Sequence, residues 1–98
     1  MKLEDKSHKK FIYVKYVGRI AVMTGRVREA LDVGAAGDVA GVLERLEAAY
    51  PGFNSVYHPP GGLFNQNTAI ICRRKGAPSF SIVDPGTKIE EGDVLTFW

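Results

Sequence analysis

Cysteine is almost missing from this chain. Among 98 residues only Cys72 is present, which excludes an intramolecular disulfide and makes a reducing compartment the simplest setting. One thiol also falls short of the four cysteine ligands of an iron–sulfur cluster. The histidines, His8 and His58, have no second ligand at metal spacing, so no zinc site is expected. Excess charge of one sign is lacking too. Thirteen basic and eleven acidic side chains leave a formal net charge of +2, too close to neutral for the electrostatic footprint of a nucleic-acid binder. The opening stretch MKLEDKSHKK has no apolar core of a signal peptide, and no apolar run approaches the roughly 20 residues that span a bilayer. The chain therefore reads as cytoplasmic, with neither nucleic acid nor membrane among its expected partners. Catalytic constellations are also wanting. There is no glycine-rich phosphate-binding motif, no Ser/His/Asp set converges by sequence, and Glu4/Asp5 and Glu90/Glu91 are adjacent exposed pairs rather than carboxylate dyads.

What is there fits one small domain, long enough for a modest core but with little spare volume for a deep pocket. Residues 1–9 are polar and read as a flexible leading segment. The lysines there, and Arg73, Arg74 and Lys75 further on, read as a solubilising tail and an exposed strand end. Phe11 to Val17, rich in β-branched and aromatic residues, predicts a strand with Ile12, Val14 and Tyr16 on one face and Phe11, Tyr13, Lys15 and Val17 on the other. Gly18 and Gly25 bracket a turn or a single helical turn, and residues 26–33 predict a weaker strand. Asp38 to Tyr50 is the clearest element. Asp38 suits an N-cap, and Val39, Val42, Leu43, Leu46, Ala49 and Tyr50 fall on one helical face before Pro51-Gly52 stops the helix. Residues 53–67, with two prolines and two glycines, predict a long loop. Strands are expected over 68–72, 80–83 and 94–98, giving the order β-β-α-β-β-β and an α+β roll.

Four stretches carry a resemblance. Tyr16-Val17-Gly18-Arg19-Ile20 is similar to an aromatic–apolar–Gly–Arg–apolar strand ending, and Gly25 falls where the following turn closes. Asp38-Val39, Val42-Leu43 and Leu46, then Ala49-Tyr50-Pro51-Gly52, resemble a "T-V-x-x-L-L-x-x-L … Y-P-G" helix. Lys88 to Val94 is similar to an "x-L-x-x-G-D-x-V" run into a final strand. In this order and spacing, over about residues 11–98, they resemble the MoaD/ThiS family of sulfur carriers, the small-subunit type of molybdopterin synthase and its thiamine-pathway relative. The resemblance implies a ubiquitin-like β-grasp fold, a mixed sheet of four to five strands with one main amphipathic helix. It implies a carrier with no active site or cofactor of its own. Its partners would be an adenylating, ubiquitin-activating-type enzyme and a synthase large subunit.

Two departures stand out. The family's Val-Asn-Gly turn reads Cys72-Arg73-Arg74-Lys75-Gly76 here, which alters a turn. The family's flexible tail ends in Gly-Gly, whereas this chain stops at Trp98. In the family the terminal carboxylate is joined to AMP and later becomes a thiocarboxylate, and glycine lets the tail thread a narrow channel. The sequence thus reads as a carrier scaffold without that tail, or as a tail-less binding module acting through its sheet face. The internal Gly61-Gly62 after Pro59-Pro60 has no free carboxylate and reads as a turn. Cys72, in an apolar strand, is expected to be a small buried hydrophobe. If the first and last strands are neighbours, Phe11, Tyr13, Val94 and Trp98 form an outward apolar patch and a candidate protein interface, unless the leading segment or the long loop covers it.

Overall fold

The structure, a computed structural model, describes residues 10–57 and 68–98. The expected leading segment 1–9, and residues 58–67 of the expected loop, lie outside the described residues.

Alternation sets the first strand. In β1 (Phe11–Tyr16) Ile12, Val14 and Tyr16 are buried while Phe11 and Tyr13 face solvent. Gly18 breaks the strand with φ 66°, and α1 (Arg19–Thr24) follows as one short helix. It closes on Gly25, whose φ of 74° is the left-handed conformation that glycine adopts without a Cβ penalty, and whose N–H donates to the Ala21 carbonyl at 2.9 Å. β2 (Arg28–Asp32) then returns antiparallel to β1.

The main helix, α2 (Val39–Ala49), is anchored at its start by polar partners. The Asp38 carboxylate accepts from Gly41 N–H at 3.0 Å, and the Val39 and Ala40 N–H groups donate to the Thr87 and Pro85 carbonyls. Its buried stripe is Val39, Val42, Leu43 and Leu46, each contributing about 1.5–3 kcal/mol by burial. Ala49, expected on that face, turns to solvent.

The expected loop over 53–67 needs correction. Residues Phe53–Tyr57 form a third helix, α3. Phe53 and Tyr57 stand four apart, on one face, and both are fully buried. The Glu47 carboxylate ties the start of this helix to α2 by accepting from Gly52 N–H and Asn54 N–H, each at 2.9 Å. Those two bonds hold the Glu47 carboxyl below its ordinary range.

β3 (Ile70–Arg73), β4 (Phe80–Ser81) and β5 (Val94–Phe97) complete a sheet of order β2-β1-β5-β3-β4. β1 and β5 run parallel at its centre, and the other pairings are antiparallel. The expected mixed sheet of four to five strands thus has five. The strands are shorter than the sequence suggests at both ends of β2, at the start of β3 and at the end of β4. Trp98 lies just past β5. Ile20 of α1, the stripe of α2, and Phe53 and Tyr57 of α3 join the inward residues of β1, β3 and β5 in one core. An aromatic stack of Tyr16, Phe53, Tyr57 and Phe97 fills the end beneath the finish of β5, with centroids 5.2–6.2 Å apart. Among the described residues, no element covers the other face of the sheet.

Candidate protein-interaction surface

The uncovered face is dictated by the same alternation that builds the core. Register places side chains in rows across the strands. Ala30, Tyr13, Val94 and Arg73 make one row, and Arg28, Lys15, Thr96 and Ile71 the next. Of these, Tyr13, Lys15, Arg28, Ala30, Arg73 and Val94 line an open depression of about 560 Å³. Tyr13 is 51% exposed at its centre.

Of the expected patch, the structure brings three residues together. Val94 is the cross-strand neighbour of Tyr13, and Phe11, 42% exposed, stands two residues before Tyr13 on the same face. Trp98 is also exposed, but at the far end. Val17 N–H donates to Phe97 C=O at 3.0 Å, which sets Trp98 level with the end of β1 and leaves Lys15 and Thr96 between it and Tyr13. Six residue steps along the strand direction carry Phe11 to Val17, a span of about 20 Å. The face is therefore an aromatic and apolar start, a cationic middle and a lone tryptophan at the finish.

Two polar clusters hold this face in place from behind. Asp93 precedes β5. Its C=O accepts from Tyr13 N–H at 2.9 Å, while its carboxylate takes Arg74 Nε at 2.9 Å and Arg74 Nη2 at 2.8 Å. One residue thereby fixes Val94 beside Tyr13 and fixes the strand that carries Arg73. Burial opposes the Asp93 charge, yet the Arg74 bonds and the Glu90 N–H outweigh it and hold the carboxyl below its ordinary range. Arg74 also lies over the Phe80 ring, 5.3 Å from its centroid.

The second cluster gathers at Glu29 of β2, whose side chain points to the core side. Its Oε2 accepts from Tyr16 Oη at 2.6 Å and from Tyr50 Oη at 2.7 Å, tying β2 to β1 and to the residue that ends α2. Burial first, and then the Glu29 charge, push both phenols above their ordinary range. Sequence reasoning missed both clusters, because each joins residues from separate elements.

Cys72 faces the core behind Arg73. Burial, reinforced by the Asp93 charge, pushes its thiol up to about 11. At neutral pH it is a protonated, packed side chain with little nucleophilic character. Among the described residues no group of three or more His, Cys, Asp or Glu could hold a metal ion, and no helix is long and apolar enough to cross a membrane.

No family model matches the sequence, and no curated protein matches it. Solved structures do resemble it. Small archaeal modifier protein 1 from Haloferax volcanii aligns with a TM-score of 0.67 over 90% of this chain and 94% of its own, at 19% identity. Its counterpart from Methanosarcina acetivorans gives 0.66 over 92% of each chain, at 17% identity. A Pyrococcus furiosus protein provisionally named molybdopterin converting factor subunit 1 gives 0.65 over 90% of this chain and 94% of its own, at 17% identity. The chain thus has the ubiquitin-like β-grasp fold of MoaD/ThiS-type carriers and small modifiers.

Proposed function

We propose that this protein is a ubiquitin-like sulfur carrier of the molybdopterin-synthase small-subunit type, which works by docking on protein partners and has no active site of its own. The observation that carries the reading is the anchorage of β5. The Trp98 carbonyl accepts from Tyr57 Oη at 2.8 Å, and its N–H donates to Ala69 C=O at 2.9 Å, while its side chain is 53% exposed. The last strand is gripped up to the surface, so a segment leaving it would start from a fixed point and be free beyond it. In this reading a glycine tail follows Trp98. An adenylating enzyme joins its carboxylate oxygen to the α-phosphorus of ATP with release of pyrophosphate, and a sulfur donor then displaces AMP. A synthase large subunit takes up the resulting thiocarboxylate. Glycine suits the tail because it lets backbone approach backbone in a narrow channel.

Intact-mass measurement on the protein isolated from its own cells tests this. The expected product ends in Gly-Gly, part of it heavier by the exchange of one oxygen for sulfur. A natural terminus at Trp98 would overturn the carrier mechanism. That outcome would leave the second reading, a binding module acting through the open sheet face, which rests on the exposure of Phe11, Tyr13 and Trp98. Alanine at these three positions is expected to abolish capture of an identified partner, and unchanged capture removes the face from consideration.

A further inference from the structure

We propose that β2 is a docking edge for an acidic, extended segment of a partner protein, which joins the sheet as an added strand and sets a carboxylate against Arg28 and Lys15. The backbone carries the first part of the argument. β2 is the outer strand of the sheet. Tyr16 N–H donates to Val27 C=O and Val33 N–H to Lys10 C=O, both at 2.9 Å, so residues 27, 29, 31 and 33 turn their backbone groups toward β1. The N–H and C=O of Arg28, Ala30 and Asp32 therefore point away from the sheet. The register with β1 runs unbroken from Phe11↔Asp32 to Lys15↔Arg28, with no bulge to twist the edge aside and no proline to blunt it. Such an edge is a template for a further strand.

Charge carries the second part. By the same parity Lys15 and Arg28 are a non-hydrogen-bonded pair, the closer kind, with Cα atoms about 4.5 Å apart. Two cations directly opposite each other weaken a sheet. Two other arginines are neutralised: Arg26 lies 3.8 Å from Glu29, and Arg74 is paired with Asp93 and Glu90. Among the described residues Lys15, Arg28 and Arg73 have no ion pair and no side-chain hydrogen bond. This face is short of anions, and an incoming carboxylate opposite Arg28 would relieve the repulsion.

The pleat then sets a pattern for the partner. Residues opposite Arg28, Ala30 and Asp32 project onto the outer face. The first should be acidic. The second should be apolar, because exposed Ala30 leaves room to reach Tyr13. The third should not be acidic, since it meets Asp32. This alternation of charge along one strand, with backbone donors and acceptors beside it, favours a peptide over a polyanion.

The inference deepens the docking half of the proposed function and is independent of the tail. A natural terminus at Trp98 leaves it standing, and its own failure leaves tail activation untouched. The test is an amide NMR titration of the whole protein with a capped peptide Glu-Thr-Val-Thr-Val-Thr and its lysine-for-glutamate twin. The glutamate peptide should bind at least about tenfold more tightly, with the difference shrinking in salt. Hydrogen exchange should slow at Arg28, Ala30 and Asp32. Ala30→Pro removes one outward N–H at an edge position that tolerates proline, and should weaken binding about tenfold. Arg28→Glu, checked for folding by circular dichroism, should invert the peptide preference. Equal binding of the twins, no binding at millimolar peptide, or no response at those three amides would overturn the proposal. So would an oligouridylate that perturbs Lys15, Arg28 and Arg73 more strongly than either peptide does.

Discussion

Truncating Arg74 to alanine is expected to destabilise the domain by about 3 kcal/mol, because it leaves a buried carboxylate without its cation. The Asp93 side chain is 1% exposed. Without Arg74 the carboxylate keeps the Glu90 N–H at 2.8 Å and a weak bond from the Cys72 thiol, neither of which carries a positive charge. Losing one partner of a buried pair costs about 3–5 kcal/mol. The lower end applies here because the Arg74 side chain is itself 23% exposed, so water can enter the vacated space. For a domain of this size each kcal/mol moves Tm by about 4–8 °C, so the variant should melt about 12–24 °C lower. The opposite truncation, Asp93→Ala, frees an arginine that can swing into solvent, and should cost less, about 2 kcal/mol.

The pH dependence separates this account from a mere loss of packing. In the wild type the folded Asp93 carboxyl is held below its unfolded value of about 3.9, so its stabilisation is full above that value and is lost as pH falls through the folded one. In Arg74→Ala burial acts without its counterweight and the folded carboxyl rises above the unfolded value. Its sign then inverts: protonation in acid relieves the variant. The stability gap between wild type and Arg74→Ala should therefore narrow as the solution is taken from neutral to about pH 4. Urea unfolding followed by far-UV circular dichroism reads this, provided the m-value is unchanged. A gap that stays constant with pH, or an Asp93→Ala variant less stable than Arg74→Ala, would refute the reasoning.

Glu29→Gln replaces a charged acceptor of two phenol protons by a neutral one and should cost about 1–2 kcal/mol in urea unfolding, a loss that Tyr16→Phe should mask in part when the two are combined, since the Tyr50 bond remains. Because Tyr16, Tyr50 and Tyr57 all have phenols raised above the ordinary value, the stability they confer is full below about pH 10 and falls as pH climbs beyond it. Tyrosinate absorbance should appear together with unfolding, and ionisation of these groups in a folded chain would contradict the burial argument. Cys72, with its thiol near 11 and no exposure, should resist iodoacetamide at neutral pH and react fully in urea. Rapid modification of the native chain, read by intact mass, would count against its placement.

The sequence made some elements legible because their signals are local. β1, α2 and β5 carry clean periodicity, and Asp38 and Gly25 stand where a cap and a left-handed stop are needed. β2 was readable only as a weak strand for a physical reason. It is an edge with one side half in solvent, so Val27 can be 69% exposed and Ala30 can point outward without penalty. α3 was hidden by Pro51-Gly52, which ends one helix and reads as the opening of a loop. The usable signal was Phe53 and Tyr57 at helical spacing. The outward set Phe11, Tyr13 and Lys15 was legible from alternation, but its neighbours were not. Arg28 and Arg73 join that face only through the strand order β2-β1-β5-β3, a long-range fact. The same holds for Arg74 with Asp93 and for Glu29 with its two tyrosines, whose partners lie 13–21 residues apart.

The distribution of polar bonds explains how a domain this small can hold a sheet face that no described element covers. Helices α1, α2 and α3 lie on one side, so every inward strand residue is spent on a single core and the outer side chains add little to it. What keeps the outer rows in register is then behind and beside them: Asp93 between Tyr13 and Arg74, Glu29 beneath β2, and Tyr57 on the Trp98 carbonyl. Those groups are shielded, while among the described residues Lys15, Arg28 and Arg73 have no counterion. A surface evolved for stability alone would reverse that order, pairing the exposed cations and filling the interior with apolar groups. The arrangement found here gives up a little sheet stability at Lys15 and Arg28, and it is a partner's carboxylate that could return it.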